Sequence, residues 1–483
     1  MKKSATSQSD FYFGDYVSAL PLVIMVLPAI VLSVMGVFSS SLMIVTGLVG
    51  IVFTSFLARN KSHYWKTVTQ ALADPTGLLI FKLFLIVGVY AELLTESQLT
   101  GGLTWLASVI DLGPAGFIVF VYIACSVLGT AMGTSVGTIM VMTPVFYPAS
   151  AAIGADPMLT LAAILSGAAT GDHFAPVSDT TIISSSTQKY YHREGSADIS
   201  DVVKGRLQYA IPAFLISCLC YWLLGAFAPD IVSATPSLAM LPDQNAIGLV
   251  MLTPMLVVIV SAIKGRSVFD SLALGIVVGL LLAVLTDQIS VEQVFYIEGS
   301  QPTGLLVAGV KNNLETIVMI IMMMGAYGIL KAYGLLDKLV ASLSHQFGKT
   351  AKSSELTMFS LVWFLNFLLI GLVARITVIG GPIVNELGKK HRIHPVRRAN
   401  ILDATANSFS FIIPWHIWPL LMIMTVTPLL SKYPYLTLPE PTTFLFITVY
   451  PVAIWCIMLF SILTGRGAQF EKEEAIKGAA SNE

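Results

Sequence analysis

Between Ser166 and Ser186 the chain reads SGAATGDHFAPVSDTTIISSS. Two aspartates, a histidine and a dense row of hydroxyls interrupt sequence that is apolar on both sides, LTLAAIL before it and LQYAIPAFLISCLCYWLL after it. Carboxylate and hydroxyl oxygens are the donors a hard cation takes. Gly171 and Pro176 do not both fit a continuous helix, because proline removes a backbone donor and glycine weakens the helical preference. The stretch is therefore expected to be a membrane-crossing helix broken between Gly171 and Pro176. Open backbone at that depth is tolerated only where protein or a water-filled cavity surrounds it, and ionisable groups there point to function. Asp172, Ser178, Asp179 and Thr180 are the candidate ligands, with Asp172 and Asp179 as the charged pair that would hold a metal ion.

A second constellation runs from Gly129 to Pro144, GTAMGTSVGTIMVMTP. Thr134, Ser135 and Thr138 supply hydroxyls, and Gly133 and Gly137 let backbone approach closely. Such small residues also serve plain helix packing; beside the broken helix, the site reading is favoured.

The elements that position these residues follow from composition. Of 483 residues, 55% are hydrophobic and 11% charged, against about 25% charged in a soluble domain, and mean hydropathy is +0.79. This is an all-α polytopic membrane protein. A net charge of −1 argues against a nucleic-acid partner. Cys125, Cys218, Cys220 and Cys456 all sit in apolar runs, which argues against disulfides or a metal site. The absence of Walker, dinucleotide and zinc motifs argues against an ATP-driven pump or an enzyme, and no cofactor is expected beyond a transported ion. An intramembrane aspartyl protease would need two aspartates sharing one proton, which the hydroxyl-rich setting disfavours. The polar N-terminus and long first apolar run do not read as a cleaved signal.

Runs of about 20 apolar residues place ten spans, at 16–37, 39–58, 76–97, 157–188 (broken), 207–228, 247–264, 268–288, 314–331, 399–430 (broken) and 441–464. Two further stretches, 113–154 and 354–388, read as re-entrant hairpins. Lys and Arg crowd alternate loops, including Lys204, Arg206 and the Lys389 to Arg398 cluster, and are missing from 228–246 and 287–303. The bias puts both termini in the cytoplasm, with the protein in the inner (cytoplasmic) membrane. Amphipathic arms are expected at 63–74 and 198–207. Pro144, Pro157, Pro176 and Gly133 recur as Pro382, Pro395, Pro414 and Gly371, each 238 residues on (382−144, 395−157, 414−176, 371−133). With the assigned topology the two repeats are inverted, the architecture of secondary transporters. The expected organisation is 1–75 (first spans and interfacial helix), 76–228 (first repeat), 229–303 (connecting spans), 304–464 (second repeat) and 465–483 (cytoplasmic tail).

GTSVGT and LSGAATGDHFAPVSDTT resemble the NhaC-type sodium/proton antiporter family, and RRANILDATANSFSFIIPWH resembles its second-half pattern. The resemblance runs from about Gly88 to Leu420 and is most specific at the SDTT run. It implies a secondary active transporter with two inverted repeats, each holding a re-entrant hairpin and a broken helix. Residue by residue, it implies roles for Thr134, Ser135, Asp172, Ser178, Asp179, Thr180, Asp403 and Pro414. His173, Ala175 and His416 depart from the pattern.

Arg375 lies outside that transfer. It sits at the second hairpin, one residue from the repeat equivalent of Thr138 (375−238 is 137). A guanidinium there needs a partner. It would clamp a carboxylate substrate or pair internally with Asp403 or Asp172; the internal pair is expected, with Arg375 facing Asp403 and Asn407. His173 and His416 titrate near neutral pH when unperturbed but rank below the aspartates. Glu92 is a weaker candidate, and Lys82 is expected to snorkel. The expected function is exchange of sodium for protons, with sodium and protons competing for the aspartates. Coupled transport of a small organic acid or amino acid is the alternative, a channel is a third reading, and a homodimer is the candidate assembly.

Overall fold

The structure, a computed structural model, describes residues 9–34, 40–73, 75–227, 244–335, 350–368 and 373–471. Its helices of ten residues or more are α1 Leu20–Val34, α2 Ser40–Leu57, α3 Lys61–Leu72, α4 Pro75–Glu96, α5 Leu99–Val109, α6 Pro114–Met132, α7 Ser135–Ile153, α8 Pro157–Phe174, α9 Asp179–Thr187 with nine residues included for its role below, α10 Ile199–Phe227, α11 Leu252–Ile263, α12 Val268–Leu285, α13 Leu305–Ala332, α14 Ala351–Leu368, α15 Val373–Lys389, α16 Pro395–Phe409, α17 Ile417–Val426 and α18 Val449–Thr464. The protein is a helical membrane protein. Seven of the described helices are long and apolar enough to cross, or nine if each bent pair counts as one span.

Local chemistry sets the boundaries. Pro114, Pro157 and Pro395 each open a helix at its first turn, where the missing N–H costs nothing. Asp156 caps α8 by accepting from the Leu159 N–H at 2.9 Å. Gly133 ends α6 in the left-handed region at φ 62°, the conformation glycine adopts without strain. Ala175 is extended at ψ 121°, as a residue before proline must be, so α8 stops there and α9 restarts at Asp179.

Residues 157–188 hold two helices, α8 and α9, interrupted at 175–178 and not at Gly171. Gly171 lies inside α8, where it serves close packing. A Cβ there would lie 2.5 Å from the Gly129 Cα and carbonyl carbon of α6. The second broken segment is α16 and α17, interrupted at 410–416.

Two helix starts repeat at one offset: Pro157 and Pro395, Asp179 and Ile417 (395−157 and 417−179 are each 238). Packing repeats with them. Helices α6 and α7 pack on α8, as α14 and α15 pack on α16. The two units also exchange partners, α9 lying on α15 and α17 on α7.

Several expectations change. Residues 198–207 do not form a separate arm but continue into α10, so Arg206 is a helical, fully buried residue and not a loop cation. Arg397 and Arg398 of the basic cluster are buried too. Helix α13 begins at Leu305, well before 314. An unforeseen α5 follows α4 across a 57° bend, and 296–303 holds an exposed two-stranded hairpin, pairing Tyr296 with Thr303. Helices α6 and α7 have 19 residues each, enough to cross, about 28 Å at 1.5 Å per residue. Two crossings and one re-entrant pair both return the chain to the same side, so the Lys/Arg asymmetry holds in either case.

Candidate functional site

The helix breaks gather polar side chains that have no place in an apolar interior. The tip between α6 and α7 rests on the break between α8 and α9: a Cβ at Gly133 would lie 2.6 Å from the Val177 Cγ2. One residue past the tip's N-cap, Ser135 donates to Asp172 Oδ2 on α8 and also reaches the Ala168 carbonyl at 3.3 Å. Asp172 is buried, and its Oδ1 makes no hydrogen bond among the described residues.

A second cluster lies beside it. Arg206 of α10 forms an ion pair with Asp403 of α16 at 2.5 Å, both side chains fully buried. The guanidinium also donates to Thr181 Oγ1 at 2.8 Å, to the His173 carbonyl at 3.2 Å and to Asn400 Oδ1 at 3.2 Å. Thr181 Oγ1 lies 3.2 Å from Asp403 Oδ2. Asn407, one turn after Asp403, donates to Asp403 Oδ1 at 3.0 Å and to Thr180 Oγ1 at 2.9 Å. Ser178 and Thr180 share a hydrogen bond of 3.2 Å. The break in the first unit is thereby tied to the second unit's α16 through α10. Asp172 lies within electrostatic range of Asp403, Asp179 and Arg206.

The charge count is informative. Two buried carboxylates, Asp172 and Asp403, face one buried guanidinium, Arg206. Arg206 is committed to Asp403. Ionised Asp172 thus leaves the buried cluster at −1, and one monovalent cation or one proton would neutralise it.

The other expected residues are placed as follows. Thr134 is half-buried at the N-cap of α7 and makes no side-chain cap. Thr138 is buried but spends its hydroxyl on the Thr134 carbonyl at 3.0 Å. Asp179 is exposed in the first turn of α9, where the positive end of the helix dipole favours it. His416 is buried at the N-cap of α17. His173 shares a 2.9 Å hydrogen bond with Tyr450 of α18. The Arg375 side chain lies outside the described residues, and the cation found against Asp403 is Arg206. Glu92 accepts from Asn312 at 3.1 Å, and Glu96 pairs with Lys432 at 2.8 Å. Among the described residues no group of three His, Cys, Asp or Glu side chains is arranged to hold a metal ion.

Arg206 was the residue that charge bias concealed. A signal was available: the buried positions of α10 include Val202, Arg206, Tyr209, Ala210 and Ala213, a stripe at helical spacing. An arginine on that stripe faces the interior. Thr181 stood in the SDTT run without being singled out, and Tyr450 carried no comparable mark.

The model of the Na+/H+ antiporter family matches residues 13–195 and 194–455. The chain is 25% identical over 322 residues to the malate-2H(+)/Na(+)-lactate antiporter of Bacillus subtilis, covering 62% of this chain and 66% of that one. It is 25% identical over 410 residues to the arginine/ornithine antiporter ArcD of Halobacterium salinarum, covering 80% and 82%. It is 22% identical over 314 residues to the Na(+)/H(+) antiporter NhaC of Alkalihalophilus pseudofirmus, covering 60% and 66%. Among solved structures, the YdaH transporter of Alcanivorax borkumensis superposes with a TM-score of 0.43 at 12% identity, covering 85% of this chain and 90% of that one. Both units of the described fold fall within the matched residues, and the chain belongs to the Na+/H+ antiporter family, a family of secondary transporters.

Proposed function

We propose that this protein exchanges sodium for protons by alternating access, with Asp172 as the carboxylate that carries one or the other. The observation that carries the reading is the bare, buried Asp172 Oδ1 beside a guanidinium already committed to Asp403. A carboxylate in a dry site is costly when charged and unaccompanied. It therefore holds a proton or a cation at nearly all times, and each expels the other. Ser135 orients Oδ2 and would complete the oxygen shell with Thr134, while Asp179 is exposed in the first turn of α9. Sodium and proton are the partners in this reading, with no resident cofactor.

The same proposal covers the membrane arrangement. The 238-residue repeat of helix starts and the exchanged packing of α9 and α17 support two inverted repeats about a central site. The pairs α6–α7 and α14–α15 would be re-entrant, within 113–154 and 354–388. Both termini would be cytoplasmic, by the Lys/Arg bias.

A second reading, coupled carriage of a small organic acid or amino acid, is favoured by the names of two relatives, a malate/lactate and an arginine/ornithine antiporter. Arg206 is a poor clamp for such cargo because Asp403 occupies it.

The test is sodium-dependent thermal stabilisation of the purified protein. Asp172→Asn should abolish it while leaving the melting temperature without sodium near or above the parent's. Ser135→Ala removes a hydrogen bond to a charged group, about 1.5–3 kcal/mol, and should weaken sodium affinity by about tenfold or more. Unchanged sodium stabilisation in Asp172→Asn would remove Asp172 from the site.

A further inference from the structure

The loop that follows the first broken helix ends in an unused cationic recess. Residues 188–197 fold back on themselves: the Tyr190 N–H donates to the Gly195 carbonyl at 3.2 Å and the Ala197 N–H to the Gln188 carbonyl at 2.9 Å. Gly195, at φ 106°, makes the turn. The loop is fixed from outside as well. The Lys189 N–H donates to Asn385 Oδ1 of α15 and the Tyr191 N–H to Glu471 Oε2, both at 2.8 Å.

This loop and the end of α15 line an open recess of about 690 Å³, bordered by Lys189, Arg193 and Lys389. Against these three cations the lining has one acid, Glu194, giving a net charge of +2 (3 − 1). None of the three cations forms an ion pair among the described residues. The Arg193 guanidinium lies over the Tyr190 ring at 3.8 Å, a stacking that holds its plane while leaving its edge donors open. Lys389 is the last residue of α15.

We infer that this recess binds a phosphate-bearing anion, and that the occupant is the headgroup of an anionic phospholipid. Three features select a headgroup over a free ion. The recess lies where two helices of the membrane-embedded units, α9 and α15, come to an end at Thr187 and Lys389. Tyr191 is exposed beside it, and tyrosine is characteristic of the membrane–water interface. Basic pockets at this level are where anionic headgroups bind. An occupant touching both Arg193 and Lys389 would tie α9's exit to α15, which already meet where the Gln188 side chain donates to the Gly381 carbonyl at 2.9 Å. This inference is independent of which ion the transporter carries.

The test is thermal melting of the full chain in neutral detergent, titrated with phosphatidylglycerol, with phosphatidylcholine of the same acyl chains, or with inorganic phosphate. Phosphatidylglycerol should raise the melting temperature beyond phosphatidylcholine, and the double variant Arg193→Gln/Lys389→Gln should lose more than half of that difference. The Arg193→Lys/Lys389→Arg variant should keep it. Equal shifts with the two lipids, or an undiminished difference in the Gln variant, would overturn the site. A shift of the same size with inorganic phosphate alone, lost in the Gln variant, would overturn the lipid assignment. Should the double variant not fold, the exposed Arg193→Glu alone decides: it should lose the phosphatidylglycerol difference, and retention would overturn the site.

Discussion

Replacing Arg206 by methionine should destabilise the protein more than any change at an exposed arginine, and the structure sets the size. The substitution removes the 2.5 Å ion pair with Asp403 and the donations to Thr181, His173 and Asn400. It leaves Asp403 with hydrogen bonds from Thr181 at 3.2 Å and Asn407 at 3.0 Å but no counter-charge. Stranding one member of a buried ion pair costs about 3–5 kcal/mol. Asp403→Asn strands the guanidinium instead and should cost a similar amount. The double variant strands neither, so its loss should fall short of the sum of the two single losses by about 3 kcal/mol or more, at the upper end of the coupling seen for groups in one network. The assay is unfolding of the three variants and the parent in the same detergent, read as a cycle. Additive losses, within about 0.5 kcal/mol, would show that the two residues do not act as a pair and would free Arg206 for substrate.

Two further outcomes follow from the packing. Cysteines replacing Leu112 and Asp156, at the two ends of the α6–α7 pair, should label from one face of the membrane. Cysteine at Thr134, at the tip, should react slowly and be protected by sodium; rapid labelling of Thr134→Cys from the face opposite the ends would make α6 and α7 two full crossings. Gly171→Leu should prevent folding or cost at least about 1–3 kcal/mol from overpacking, because its Cβ would meet Gly129 backbone at 2.5 Å. Well-folded Gly171→Leu protein at wild-type yield would refute that close approach.

Much of the fold was legible because helix breakers are local. Pro157 and Pro395 each take the first turn of a helix and Ala175–Pro176 ends one, so part of the 238-residue recurrence became a recurrence of helix starts, whereas Pro144 and Pro382 lie inside α7 and α15. Gly171 was misread because a glycine relieves both backbone strain and steric contact, and only the neighbouring α6 distinguishes the two uses. That Asp172 would be a buried carboxylate among hydroxyls was legible for a similar reason, since it stands in a run that is apolar on both sides, and the structure buries it against Ser135. Asp403 was named as well, but its cation, Arg206, was not. Asp403 has Leu165 as its repeat equivalent and Arg206 has Phe444 (403−238 is 165, 444−238 is 206). The chemistry thus does not repeat, although the helices do. The pairing of Arg206 with Asp403 links positions 197 residues apart (403−206) on different helices, and a count of loop charges assigns such an arginine to the surface.

The central claim is competition between one sodium ion and one proton for Asp172. It is tested most directly in proteoliposomes, with purified protein as the sole transporter and no organic acid present, by imposing a sodium gradient and recording lumenal pH. The account predicts proton movement opposite to sodium, absent in Asp172→Asn. It further predicts an apparent sodium affinity that strengthens as pH rises, by up to about tenfold per pH unit where the carboxyl is mostly protonated, because one proton must leave for each ion bound. Sodium-driven proton flux that survives in Asp172→Asn, or flux in the parent only when a carboxylate or amino acid is added, would contradict it.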